Sequence, residues 1–223
     1  MESSQDHPAP SALLLITPQC PHCPQVMQGL EILIKQGTLS RLEIINIVAD
    51  PEPARERGVR SVPWIQIGPF VLEGAYSPGE LKNWAEQAST PNGMAWYFDE
   101  QLKTGGLARV EQMVKDEPSR LKAIARLAAD SDTAMQTRVG IAALLESIEG
   151  SGMAKMIVGD LAKITGHPDA RVRADACHYL ALTESADALS PLKACLDDDD
   201  EVVREIAVEA VEHLEHYLEQ HSE

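Results

Sequence analysis

A Cys-Pro-His-Cys segment at residues 20–23 constrains the fold of this chain more than any other feature of its sequence. It follows an apolar run at residues 12–16 and precedes residues 24–36, whose apolar side chains recur at helical spacing up to Gly37. The pattern predicts a buried strand, a turn that carries the cysteines, and a helix. The amide groups and dipole at a helix start stabilise a thiolate at the first cysteine. The second cysteine lies one turn further on, close enough to close a disulfide with it.

The segments up to residue 89 continue this pattern in the order β-α-β-α-β-β-α. Ser77 and Glu80 have the spacing of a capping box, and Gly68-Pro69 separates two short apolar runs that predict a hairpin. The predicted strands are residues 11–17, 41–48, 64–67 and 70–73, and the predicted helices are residues 24–36, 53–57 and 78–89. The predicted inner face of the first helix consists of Val26, Met27, Leu30, Leu33 and Ile34.

Four parts of this region resemble the thioredoxin/glutaredoxin family in its short form. They are the turn at residues 20–23, the segment 58–63, the hairpin, and residues 73–81, which lead into the last helix. The resemblance covers residues 11–89 and implies a thioredoxin-like α/β fold with thiol–disulfide oxidoreductase activity. It also implies that Pro63 is cis and packs against the disulfide, and that the backbone of Val62 pairs with an extended substrate segment.

The two cysteines carry the chemistry that this resemblance implies. Cys20 is expected to attack as a thiolate and to form a mixed disulfide, which Cys23 then resolves. A protonated imidazole at His22 would stabilise the thiolate further. The redox-active Cys20–Cys23 disulfide needs no other cofactor, and we predict no metal. The residues alone leave open a zinc half-site or an inert turn for the cysteines, and an ordinary trans bond for Pro63.

The segment departs from the family pattern at three points. Gln19 stands where thioredoxins proper carry tryptophan, and Trp64 stands where the family often carries threonine. The first strand has no acid, so it lacks the buried carboxylate that relays protons in thioredoxins. None of these departures removes a cysteine, and the prediction of dithiol chemistry stands.

The chain after residue 90 has a different character and is predicted to be almost wholly helical. Gly, Pro, Asp and Ser residues separate its apolar segments. The predicted helices are residues 94–103, 106–116, 119–129, 134–148, 153–165, 169–182, 187–196 and 200–219. The predicted domains are therefore a flexible segment at residues 1–10, a thioredoxin-like domain at residues 11–89 and a helical domain at residues 90–223.

A motif recurs within this helical part. Residues 167–173 (HPDARVR) recur thirty-one residues later as residues 198–204 (DDDEVVR). The pattern resembles the short HEAT-like repeat of the phycobilisome-lyase type, over about residues 130–218 and best over 153–218. The resemblance implies stacked helix pairs that offer a surface for protein binding. The turn Asp is expected to cap the next helix, and the Arg one turn in is expected to reach the acids or carbonyls of the turn.

The net charge of the chain limits the classes of molecule that it is expected to bind. The net charge is −16, divided into −4 for residues 1–90 and −12 for residues 91–223. Such a surface is a poor binder of nucleic acid or anionic membrane and favours a basic or mixed-charge client. Residues 1–10 carry no Lys or Arg, and no apolar stretch is long enough to span a membrane. We therefore expect no secretory signal and a cytoplasmic location.

The remaining candidate residues are interpreted as structural residues and not as parts of a site. Cys177 and Cys195 lie on predicted apolar helix faces and are interpreted as small core residues. Residues 197–201 could hold a cation but are more typical of a solvated turn with a helix cap. The C-terminal histidines could bind stray metal but are more typical of a solvent-facing helix end; they are His213, His216 and His221.

These patterns together predict an enzyme that exchanges a dithiol and a disulfide with a protein client. The HEAT-like domain would dock that client, and a cellular dithiol would serve as reductant. The alternative is a non-catalytic, redox-sensing adaptor whose disulfide alters how the helices hold the client. A third hypothesis, glutathione-dependent reduction, has only Arg60 in its support.

Overall fold

The computed structural model of the chain describes residues 8–221. The predicted flexible segment at residues 1–10 lies mostly outside these described residues. The chain divides into two compact units, of which the first ends at Tyr97 and the second begins at Phe98. The sequence places the domain boundary earlier, at residue 90.

The first unit has the predicted order of elements. They are β1 (Ser11–Ile16), α1 (Cys23–Gln36), β2 (Arg41–Asn46), α2 (Glu52–Glu56), β3 (Trp64–Ile67), β4 (Phe70–Glu73) and α3 (Pro78–Ala88). The four strands form one mixed sheet in the order β2-β1-β3-β4. β1 pairs with β2 in parallel and with β3 antiparallel, so that Leu14 lies opposite both Ile44 and Ile65. The predicted thioredoxin-like α/β fold is confirmed.

Helix α1 packs against α3 at the position of Gly29. A Cβ atom there would lie 2.8 Å from Cδ1 of Leu81, so a larger residue would require the Leu81 side chain to shift, whereas glycine needs no shift. The buried stripe of α1 consists of Cys23, Val26, Gly29, Leu30 and Leu33. The prediction that Met27 belongs to the inner face is wrong, because Met27 is 37% exposed. It follows Val26 by one residue, which turns it about 100° around the helix and away from the stripe.

Helix α4 (Gly93–Lys103) begins in the first unit, where its Tyr97 contacts the edge strand β4. The hydroxyl of Tyr97 donates a hydrogen bond to the carbonyl of Val71 (2.9 Å) and accepts one from the Val71 amide (3.3 Å). The ring of Tyr97 stacks on Phe70 with centroids 4.7 Å apart. The amide and carbonyl of Val71 are therefore already bonded and are not open to a strand of another chain.

The second unit is helical, as predicted. Its further helices are α5 (Leu107–Asp116), α6 (Leu121–Ala128), α7 (Met135–Ser147), α8 (Val158–Ile164), α9 (Ala170–Ala181), α10 (Leu189–Ala194) and α11 (Glu201–Gln220). Short 3₁₀ turns precede α6, α8 and α10. Helices α6 and α8 pack against each other in one layer, and α7, α9 and α11 pack successively in the other. Each pair buries its apolar face against the next pair, as in a solenoid.

The repeated motif makes the contacts expected of it. Asp169 caps α9 by accepting the amide of Arg171 (2.9 Å), and Asp200 caps α11 by accepting the amide of Val202 (2.9 Å). The guanidinium of Arg204 donates to the carbonyls of the turn before its own helix, and Arg173 does the same one repeat earlier. The predicted roles of the turn Asp and the following Arg are therefore confirmed.

Candidate dithiol site

Cys20 and Cys23 lie between the end of β1 and the start of α1 and form a disulfide. Their Cα atoms are 5.5 Å apart. α1 begins at Cys23 because Pro24 suits the first helical turn, where its missing amide costs nothing. Cys20 is half-buried, whereas Cys23 is only 3% exposed. Of the two sulfur atoms, that of Cys20 is therefore the more open to a partner.

A backbone amide at the helix start points at the sulfur of Cys20. The backbone amide of Cys23 donates to Sγ of Cys20 (3.1 Å). This amide belongs to the first turn of α1, where backbone amides have no partner within the helix, and that turn carries no acid. The same amide and dipole would stabilise a thiolate at Cys20 after reduction. His22 is the N-cap residue, and its side chain is exposed.

The Val62–Pro63 bond is cis, the isomer that the family resemblance implies. β1 and β3 are antiparallel neighbours with Leu15 opposite Trp64, so the residues after β1 and before β3 lie at the same end of the sheet. The topology therefore brings the Cys-Pro-His-Cys turn and the Val62-Pro63 pair to one sheet end. Pro63 is buried and Val62 is half-buried.

Hydrogen bonds to the hairpin hold the residues on both sides of Val62, but none in the described part of the chain holds the backbone of Val62 itself. The carbonyl of Pro63 accepts the amide of Gly74 (3.0 Å), and the hydroxyl of Ser61 donates to the carboxylate of Glu73 (3.4 Å). The amide and carbonyl of Val62, by contrast, make no hydrogen bond within residues 8–221. The contacts with Glu73 and Gly74 are absent from the sequence predictions. The hairpin register, in which Trp64 lies opposite Glu73, is the signal from which they follow.

Trp64 has a structural role below the site. It is buried with Leu15 of β1 and Ala54 of α2, and half-buried side chains such as Val59 pack around this cluster. The large indole therefore fills the space between the sheet and α2. This packing accounts for the departure from threonine at this position.

The other candidate residues lie elsewhere. Cys177 and Cys195 are buried free thiols of the second unit, as predicted. Their mutual hydrogen bond, together with burial, raises the pKa of Cys177, and the same hydrogen bond lowers the pKa of Cys195. The residues of the turn at 197–201 include the cap of α11, Asp200. Within residues 8–221, no three His, Cys, Asp or Glu side chains are grouped as metal ligands.

Two family models match the chain. Residues 12–86 match a thioredoxin domain, and residues 121–212 match HEAT repeats. The HEAT match begins at residue 121, where α6 starts, whereas the resemblance seen in the sequence begins at about residue 130. No curated protein matches the chain. Among the described residues, none of the helices is both long and apolar enough to cross a membrane. The chain therefore consists of a thioredoxin-like domain followed by HEAT repeats, an organisation that fits a redox or an adaptor role.

Proposed function

We propose that the chain is a thiol–disulfide oxidoreductase that acts on a protein client. The observation that carries this proposal is the asymmetric cysteine pair at the start of α1. The sulfur of Cys20 is accessible and accepts a hydrogen bond from the backbone amide of Cys23, whereas the side chain of Cys23 is buried. An accessible sulfur in a positive environment suits the attacking thiolate, and a buried neighbour suits the resolving thiol.

The exchange conserves electrons and sulfur atoms. In the reductive direction, the Cys20 thiolate attacks one sulfur of a client disulfide, forms a mixed disulfide and releases the other client sulfur as a thiolate. Cys23 then loses its proton and attacks Sγ of Cys20, which closes the Cys20–Cys23 disulfide and releases the second client thiol. The client gains two electrons, and a cellular dithiol restores the pair by the same steps. The exposed His22 adds positive charge beside the thiolate when its ring is protonated.

The backbone of Val62 supports recognition of an extended client segment. Its amide and carbonyl have no hydrogen-bond partner within residues 8–221, although the side chain is half-buried. It lies at the same end of the sheet as Cys20. A client strand that bonds to this residue would present its disulfide to Cys20 by β-addition. The HEAT repeats would supply the remaining docking surface.

Insulin reduction tests the proposal. With dithiothreitol as the dithiol donor, the full chain should accelerate the precipitation of the reduced insulin B chain, and Cys20→Ser should abolish the acceleration. Cys195→Ala is the matched control, because it removes a cysteine of the second unit and should keep the rate. An equal rate for the wild type and Cys20→Ser would contradict the proposal.

A second candidate is a redox-sensing adaptor without turnover. It is favoured by the length of the HEAT match, residues 121–212, because repeats of this kind bind proteins. In that case the oxidised and reduced chains would hold a client with different affinities, and insulin would not be turned over. The insulin assay therefore separates the two candidates.

A further inference from the structure

The second unit holds two buried cysteines, Cys177 and Cys195, that the dithiol exchange proposed above does not use. Cys177 lies on α9, and Cys195 begins the 3₁₀ turn Cys195–Asp197 that follows α10. The thiol of Cys177 donates a hydrogen bond to the sulfur of Cys195, so the two side chains are in contact. These two residues are called the inner cysteine pair.

An ion pair holds the two segments that carry the inner cysteine pair side by side. Arg173 precedes Cys177 by about one turn of α9, and Asp198 follows Cys195 by three residues. The guanidinium of Arg173 donates two hydrogen bonds to the carboxylate of Asp198, of 2.8 and 2.7 Å. The amide of Asp198 donates to the carbonyl of Cys195 (3.2 Å), which closes the turn. Secondary structure and this ion pair therefore fix the backbone on both sides of the two thiols.

The two thiols differ in a way that gives each a separate step in disulfide formation. The hydrogen bond to Cys195, together with complete burial, raises the pKa of Cys177. The same hydrogen bond lowers the pKa of Cys195, which is 4% exposed. The neighbouring charges of Arg173 and Asp198 act on both thiols in opposite directions. Cys195 is therefore the member that ionises first, and the thiolate is the form that reacts with an oxidant.

We propose that the inner cysteine pair is a second redox site, which hydrogen peroxide oxidises to a Cys177–Cys195 disulfide. The Cys195 thiolate attacks one oxygen of the peroxide, so that an S–O bond forms, the O–O bond breaks, and the leaving hydroxide takes up the thiol proton. Cys177 then attacks the sulfenic sulfur of Cys195, and its proton leaves with the displaced hydroxide as water. Two thiols and one peroxide thus give one disulfide and two water molecules. A dithiol reverses the oxidation by exchange.

The disulfide joins α9 covalently to the turn before α11. Arg173 and Asp198 already join the same two segments by charge. A covalent link restricts the unfolded chain and so stabilises the folded repeats. The stability of the HEAT repeats thereby responds to peroxide, and this response does not depend on the oxidoreductase function proposed above.

Oxidation of the full chain with Cys20→Ser and Cys23→Ser tests this assignment, because the inner cysteine pair then supplies the only thiols. Hydrogen peroxide at pH 7 should lower the intact mass by two hydrogen atoms and remove both free thiols. Non-reducing peptide mapping should link Cys177 to Cys195 within one chain. The Tm of the second unit should rise by at least about 3 °C, and dithiothreitol should restore both the mass and the Tm.

Two matched variants in that background separate the roles of the thiols. In Cys177→Ser the resolving thiol is missing, so peroxide should leave a sulfenic acid at Cys195 that dimedone traps. In Cys195→Ser the remaining thiol of Cys177 should be trapped at least about tenfold more slowly, because its pKa is raised and it is fully buried. Far-UV circular dichroism verifies that both variants are folded.

Three results would overturn the assignment. They are thiols that react with peroxide only in concentrated urea, a disulfide that links two chains instead of one, and faster trapping of Cys177 than of Cys195. The first of these would make the inner cysteine pair inert core residues. Insulin reduction depends on Cys20 and Cys23 and is absent from this background. Failure of the inner cysteine pair is therefore distinguished from failure of the proposed function.

Discussion

Arg173 on α9 forms a bidentate ion pair with Asp198, which lies in the turn before α11. The distances are 2.8 Å from Nε to Oδ2 and 2.7 Å from Nη2 to Oδ1. The same guanidinium donates to the carbonyls of His167 and Pro168 in the turn before its own helix. The Arg173 side chain therefore bonds both to the turn that precedes its own helix and to the corresponding turn of the next repeat. Arg138 makes a comparable link, since it donates to the carbonyl of Thr133 and pairs with Asp175 on α9.

The first prediction concerns this link. Arg173→Gln should lower the free energy of unfolding of the second unit by about 1.5–3 kcal/mol, because it removes charged hydrogen bonds and leaves Asp198 without its partner. The pair is shielded, with side chains 15% and 11% exposed. Urea denaturation followed by circular dichroism measures the change.

Arg171→Gln is the matched control for that experiment. Arg171 also pairs with an aspartate of a turn, Asp169, but its side chain is 73% exposed. Water screens such a pair, and its loss should lower the free energy of unfolding much less than Arg173→Gln does. Equal effects of the two substitutions would contradict the view that the shielded link stabilises the stack.

The second prediction is an acid-sensitive stability. The hydrogen bonds from Arg173 lower the pKa of Asp198, and those from Arg171 lower the pKa of Asp169 to about 2. A carboxylate whose pKa is lower in the folded state stabilises that state above its unfolded pKa of about 4. This stabilisation is lost as the pH falls from about 4 through the folded pKa.

Thermal denaturation between pH 6 and pH 2 measures this loss. Asp198→Asn removes one of the two carboxylates, so its Tm should be lower than that of the wild type at pH 6. The gap should narrow below pH 4, where the wild-type carboxylate becomes protonated. A gap that is constant across this range would show that the ionised form of Asp198 contributes nothing.

Local patterns in the sequence predict most of the fold. The capping box of Ser77 and Glu80 is present as expected, because both partners lie within four residues of each other. The strands, helices and repeat motif are also encoded in short segments. The prediction for Met27 is wrong because a side chain at the border of an apolar stripe can face either the core or solvent. The dithiol turn was visible as a local motif, whereas the contacts of Ser61 with Glu73 depend on the hairpin register.

Contacts between distant segments were not predictable in this way. The hydroxyl of Tyr97 caps the backbone of Val71, twenty-six residues earlier, and no local pattern marks that relationship.

The third prediction concerns Tyr97. Tyr97→Phe keeps the stacked ring on Phe70 but removes the hydroxyl that bonds both the amide and the carbonyl of Val71. The free energy of unfolding of the first unit should fall by about 1 kcal/mol, because these half-buried backbone groups lose their partner. Urea denaturation followed by tryptophan fluorescence measures the change. No loss of stability would mean that water replaces the hydroxyl at this edge.

The fourth prediction concerns cysteine reactivity. In the reduced chain at pH 7, iodoacetamide should modify Cys20 at least tenfold faster than Cys23, because the sulfur of Cys20 is more exposed and faces the amide of Cys23. Cys195 has a lowered pKa, yet its burial should keep it slow in the folded chain. Peptide mapping by mass spectrometry over time gives the individual rates. Equal labelling of Cys20 and Cys195 would contradict the assignment of Cys20 as the nucleophile.

The trapping of a mixed disulfide tests the central claim most directly. Reduced Cys23→Ser, incubated with insulin, should accumulate a covalent adduct through Cys20, because the thiol that resolves the intermediate is missing. Intact mass and peptide mapping should locate the linkage at Cys20, and Cys20→Ser should form no adduct. The wild type should show only a transient adduct and release reduced insulin chains. The absence of an adduct in Cys23→Ser, or an adduct at Cys177 or Cys195 instead, would contradict the account.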